Sequence, residues 1–180
     1  MIRKWKRLSS EERDRNTHWV YRVDQFETAE GKKGAYYYHV NNNAITVFPQ
    51  LKDGRFVMLR EYRYLFDRLS LSHVQGEIEP GEAPEDAARR ELAEEVGYKT
   101  TQLIYLGTTM TAPAFSTETV HIYLARDLEP TTKHTDEFEE TEVVTMSQEE
   151  IEAAIQSHEI WDKQVISDWH LVEQYLRTHG

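Results

Sequence analysis

Three glutamates, Glu91, Glu94 and Glu95, follow i, i+3, i+4 spacing inside the stretch GEIEPGEAPEDAARRELAEEVGY, residues 76–98. On a helix this spacing brings three carboxylates to one face. Like charges so placed repel, and in helical projection nothing basic falls within their arc. Two readings are open. One is a solvated acidic face, ordinary in a Glu-rich chain. The other is a seat for a hard divalent cation, which takes oxygen ligands, keeps several waters and offsets the repulsion. The same stretch is punctuated as a helix. Pro84 suits a first-turn position and Gly97 the residue just past a helix end. Between them Ala88, Leu92 and Val96 recur at i, i+4, i+8 as an apolar stripe for packing.

Gly76, Glu82, Arg90, Glu91, Glu94, Glu95 and Gly97, with apolar Leu92 and Tyr98, resemble the Nudix box at every position. The box reads Gly, five residues, Glu, seven residues, then Arg-Glu-apolar-x-Glu-Glu-x-Gly-apolar. Tyr98 stands where an aliphatic residue is more usual. The resemblance implies an α+β domain of the Nudix fold, a mixed β-sheet sandwiched between helices, here with an N-terminal antiparallel strand region. It also implies metal-dependent hydrolysis of a nucleoside diphosphate linked to another group. Glu91, Glu94 and Glu95 would be ligands of Mg²⁺, with Mn²⁺ as a substitute, and Glu94 and Glu95 would count among the catalytic residues. Glu82 matches the loop glutamate that adds to metal binding, and Gly76 the place where backbone approaches metal or phosphate closely. Arg90 would orient a box carboxylate, and Gly97 would stop the helix.

The flanks are similar to the ADP-ribose pyrophosphatase subgroup. Pro113 lies fifteen residues past Tyr98, where that subgroup carries a proline, and Glu118 falls at a position that touches metal or substrate. Arg60-Glu61-Tyr62-Arg63 resembles the subgroup's Gln-Tyr-Arg segment. Arg60 and Arg63 are therefore candidate phosphate contacts, with plain surface strand residues as the alternative. The run from Asp136 to Glu140 matches an acidic loop that supplies a general base, with Glu137 the first choice and Glu139 the second. Trp19, Tyr62, Tyr64 and Phe66 are candidates for stacking on a base, against the plainer reading as core or dimer contacts. Two departures weaken strict ADP-ribose specificity: Ser72-His73-Val74-Gln75 replaces a Glu-aliphatic-Pro-Ala run, and Ala114 replaces a glycine. Gln75 is similar to the residue before the box in hydrolases of dinucleoside polyphosphates.

The expected reaction is hydrolysis of nucleoside diphosphate sugars such as ADP-ribose to a nucleoside monophosphate and a sugar phosphate. Dinucleoside polyphosphate hydrolysis and a non-catalytic regulatory module that binds a nucleotide sugar are the alternatives. The subgroup resemblance implies a homodimer paired through N-terminal strands.

Composition sets bounds on these readings. A chain of 180 residues, 39% hydrophobic and 29% charged, suits one globular unit. A region 1–40 is expected to serve dimerisation and 41–180 to form the hydrolase domain. No cysteine is present, which removes disulfides, zinc-thiolate sites and cysteine nucleophiles. A net charge of −11 argues against nucleic acid as the main partner. No apolar run approaches a membrane span, and the basic N-terminus lacks the apolar segment of a secretory signal, so a cytoplasmic protein is expected. The eight histidines show no metal-ligand spacing on one helix.

Residues 1–16 read as partly helical or irregular. Strands are expected over His18–Phe26, Gly34–Asn41, Ala44–Pro49, Arg55–Arg60, Leu103–Met110, Thr119–Ala125 and Glu142–Met146. Ser147 with Glu150 marks a capping box, and a final helix spans roughly Asp162–Thr178.

Overall fold

The computed structural model describes residues 1–133 and 140–179. The chain divides into two compact units. The first joins residues 1–43 to residues 110–119 and is built on three antiparallel strands, β1 (Lys6–Arg15), β2 (Trp19–Glu27) and β3 (Lys33–Asn41), in that order. The expectation of helix or irregular chain before residue 16 is thus corrected. Every residue of β1 is exposed, so it shows no alternation of apolar and polar positions. Its ladder to β2, interrupted by two register shifts, holds it instead, with Arg22 Nε donating to Ser10 Oγ at 3.1 Å. The Pro113 loop belongs to this unit: the His39 N–H donates to Phe115 O, and the Tyr36 hydroxyl to Ala114 O at 2.6 Å.

The second unit holds two sheets. β5 (Phe56–Arg63) pairs antiparallel with β6 (Arg68–Ser72) and with β10 (Thr141–Met146). The other sheet runs β7-β4-β9-β8, with β4 (Ala44–Pro49) antiparallel to β7 (Val74–Glu77) and parallel to β9 (Thr119–Pro130). β8 (Tyr98–Met110) closes that order. Strands β6 and β7 escape a reading by pattern because five and four residues are too few for alternation to show.

β4 is buried along almost its whole length, which is why it is apolar at every position but Thr46. Its Ile45 and Val47 pack with Val74, Ala88, Leu92, Val96 and Tyr123 under α1 (Pro84–Val96). Phe48 faces a second cluster with Met58, Leu124, Ile151, Trp169 and Val172, closed by α2 (Gln148–Gln156) and α3 (Lys163–His179). The mixed sheet is therefore sandwiched between helices. Helix α2 starts as expected: the Ser147 hydroxyl accepts from the Glu150 N–H, and the Glu150 side chain accepts from the Ser147 N–H. Among the described residues no helix is long and apolar enough to cross a membrane.

Candidate active site

Helix α1 presents the carboxylates, and local chemistry explains its bounds. Pro84 occupies the first turn, and Glu85 and Asp86 place negative charge at the positive end of the helix dipole. At the other end Gly97 adopts the left-handed conformation, φ 71°, and its N–H bonds back to Ala93 O. The stripe Ala88, Leu92 and Val96 is buried in the sheet, so the glutamate face is turned along the edge of that contact.

Strand β7 meets this face. It ends its sheet, so part of its backbone has no strand partner on the outer side. The Gln75 N–H is taken up by Glu95, whose Oε2 accepts it at 3.1 Å. One residue on, Gly76 lies against the Glu91 side chain so closely that a Cβ there would overlap the carboxylate. Glycine is required at this point by space, not by backbone angle.

Arg90 binds the group together. Its Nε and Nη2 donate to the two oxygens of Glu82, both at 3.0 Å. Nη1 donates to Glu91 Oε1 at 2.6 Å and to Glu94 Oε2 at 3.2 Å, and Nη2 also reaches the Glu77 carbonyl at 3.0 Å. The helical projection that left the glutamates without a basic neighbour is corrected here. A projection follows Cβ directions, whereas three methylenes carry the guanidinium back across the face. The Arg90 hydrogen bonds hold the Glu82 carboxyl below its ordinary range, and the carboxylates in turn raise the Arg90 guanidinium above its own. The Glu82–Arg90 pair therefore contributes its stability above the ordinary glutamate range. That contribution is lost as pH falls through the lowered Glu82 value.

Box residues Gly76, Glu82, Arg90, Glu91, Glu94 and Glu95 thus come together, with Gly97 ending their helix. The donor set is all carboxylate, which suits a hard divalent cation, and the Gly76 cradle leaves Glu91 room beside the backbone. Among the described residues no three acidic or imidazole groups are gathered as a ready metal cage. Arg90 now holds three of the carboxylates, so cation binding at this face would exchange part of its contacts.

The other expected residues are placed elsewhere. Arg60 donates to Glu142 Oε2 at 2.7 Å, the residue opposite it on β10, with Glu159 at 3.9 Å. Arg63 pairs with Glu61 at 2.8 Å. Glu118 belongs to the first unit, half-buried, its N–H donating to Ser116 Oγ. Of the aromatic candidates, Trp19 stacks on His39 with ring centroids 5.0 Å apart, and Phe66 meets Trp161 edge to face with centroids 4.9 Å apart. Tyr62 donates to Asp67, and Tyr64 is exposed. Glu137 and Glu139 lie outside the described residues.

The family comparison agrees with the box. The NUDIX domain model matches residues 40–169. An ADP-ribose pyrophosphatase of Bacillus subtilis is 30% identical over 142 residues, covering 78% of this chain and 77% of that protein. A methanol dehydrogenase activator of Bacillus methanolicus is 27% identical over 157 residues, covering 86% and 83%. A crystal structure of an ADP compounds hydrolase superposes with a TM-score of 0.91 at 26% identity, covering 100% of this chain and 98% of that one. With the box assembled on α1 and β7, the chain belongs to the Nudix family, in the subgroup of the ADP-ribose pyrophosphatases, and is a Nudix pyrophosphatase.

Proposed function

We propose that this chain hydrolyses the pyrophosphate bond of nucleoside diphosphate sugars such as ADP-ribose, releasing a nucleoside monophosphate and a sugar phosphate. One observation carries the reading: Glu91, Glu94 and Glu95 are held in register over β7 by Arg90, by the Gln75 N–H and by the space at Gly76. Glu91, Glu94 and Glu95 would hold Mg²⁺ or Mn²⁺, with Glu82 adding to the set. When bound, the ion neutralises phosphate charge and lowers the pKa of a bound water.

The chain's own residues do the rest. Arg90 gathers the carboxylates on one face before substrate arrives and would give up part of its contacts to the ion. Glu137, or Glu139 in its place, is the proposed base that takes the proton of the attacking water. Arg60 and Arg63 are proposed phosphate contacts. Both now rest on carboxylates at the surface and would exchange those partners for phosphate oxygens, which guanidinium groups bind in the same forked way. Glu118 is proposed to touch substrate or metal.

The substrate class is supported by the Pro113 loop and by the names of two relatives, an ADP-ribose pyrophosphatase and an ADP compounds hydrolase. A panel of ADP-ribose, other nucleoside diphosphate sugars and dinucleoside polyphosphates, run with Mg²⁺ and Mn²⁺ and with products resolved, decides it. AMP and ribose 5-phosphate from ADP-ribose are expected. Turnover confined to dinucleoside polyphosphates would replace the substrate assignment. Binding without any turnover would convert the chain to a regulatory module.

A homodimer through the N-terminal strands is part of the same proposal. Trp5, Leu8, Tyr37 and Val40 are exposed apolar side chains of the first unit, and covering them would remove apolar surface from water. Light scattering should give twice the 21.2 kDa chain mass at micromolar concentration, and a mass of one chain would refute the pairing.

A further inference from the structure

Behind the carboxylate face, in the same unit, lies a polar cluster sealed from water. His73, immediately before β7, and Asp168, on α3, are both fully buried, with His73 Nε2 at 3.4 Å from Asp168 Oδ2. That is ion-pair distance, and neither ring nitrogen of His73 makes a hydrogen bond among the described residues. The imidazole and the Phe48 ring meet edge to face, centroids 4.9 Å apart. Asp168 is well supplied with donors. Thr46 Oγ1 gives a hydrogen bond to Oδ2 at 2.9 Å, and Gln164 Nε2 and Ser167 Oγ give bonds to Oδ1 at 2.7 and 3.3 Å.

Sealing a carboxylate and an imidazole inside an apolar cluster is costly unless they are held in one geometry. What that geometry secures is visible in the strand pairing. Thr46 of β4 stands opposite Gln75 of β7, and Ile45 opposite Gly76. Strand β7 is only four residues long and ends its sheet, so its own ladder specifies register weakly. A slip of one residue would take the Gln75 N–H from Glu95 and put a side chain where Gly76 makes room for Glu91.

We infer that the buried Thr46–Asp168–His73 cluster is a register lock. Asp168 holds β4 through the Thr46 hydrogen bond and stands 3.4 Å from the His73 ring at the entry to β7. In this way α3, on one side of the sheet, sets the place in β7 of Gln75 and Gly76, which meet the glutamates of α1 on the other side. Thr46, Asp168 and His73 are thus positioning residues, acting through β7 on Glu91 and Glu95. Their effect on turnover rests on the hydrolytic reading above; the lock itself does not.

The test is amide hydrogen exchange of Gln75 in the metal-free protein, with the Leu124 amide in β9 as internal control. Thr46→Val keeps shape and burial but removes the donor to Asp168. It should speed Gln75 exchange about tenfold, the scale of one lost hydrogen bond, and leave Leu124 unchanged. It should also lower kcat about as much with KM near wild type, the pattern of a lost transition-state arrangement. Thr46→Ser, which restores the hydroxyl, should return both. His73→Phe, which keeps a planar ring but removes the nitrogen facing Asp168, gives a second entry to the lock and should act in the same direction on Gln75. Unchanged Gln75 exchange, or a rise matched by Leu124, would overturn the lock. A wild type that turns over no nucleotide would sink the proposed function and leave the exchange result standing.

Discussion

Glu95→Gln is expected to lower kcat roughly 10²- to 10³-fold while leaving the thermal midpoint nearly unchanged. The glutamine keeps an oxygen that can accept the Gln75 N–H, so the seam between α1 and β7 survives. What disappears is a negative charge facing the proposed cation. An ion at a phosphoryl centre supplies several kcal/mol of transition-state stabilisation, and each 1.36 kcal/mol is about tenfold in rate. Steady-state kinetics with the product resolved, paired with a melting curve, checks both halves. Wild-type turnover on every substrate the parent accepts would remove Glu95 from the catalytic set.

Gly76→Ala should lose roughly 10²-fold in kcat/KM through a single methyl group. The new Cβ would fall on the Glu91 carboxylate, the far end of a side chain with rotatable bonds. The fold can yield by turning Glu91 away, so the chain should remain folded. Turning it breaks the 2.6 Å bond from Arg90 and moves a proposed ligand by more than the 1 Å that already costs about 10²-fold in a positioned site. Circular dichroism and a melting curve establish the fold, and kinetics at saturating Mg²⁺ measures the loss. Wild-type kcat/KM at saturating Mg²⁺ would mean that Glu91 has kept its place, and the steric account would fail.

The legible parts of this protein are those whose cause is local. Helix α1 could be bounded from sequence because Pro84 and Gly97 mark its ends and Leu92 its buried side. The capping box at Ser147 is equally local, and β4 is apolar at every position but Thr46. Strand β1 was hidden because it buries nothing and depends on a partner strand. The box resemblance gave Arg90 a carboxylate to orient, but the helical projection missed its reach to the glutamates by treating a long side chain as a point on a wheel. The meeting of His73 with Asp168 joins residues far apart in sequence, and no spacing rule reaches that far. For Arg60 and Arg63 the sequence left open a phosphate contact or a surface strand residue, and their ion pairs with Glu142 and Glu61 join partners that no motif marks.

The central claim is that the glutamate face of α1 binds the divalent ion that hydrolysis requires. Equilibrium Mn²⁺ binding, followed through the electron paramagnetic resonance signal of free Mn²⁺, tests it without reference to turnover. The wild type should take up Mn²⁺, and Glu95→Gln should bind at least about tenfold more weakly, the effect of losing one charged ligand. Equal binding by the two proteins would place the metal elsewhere and contradict the account.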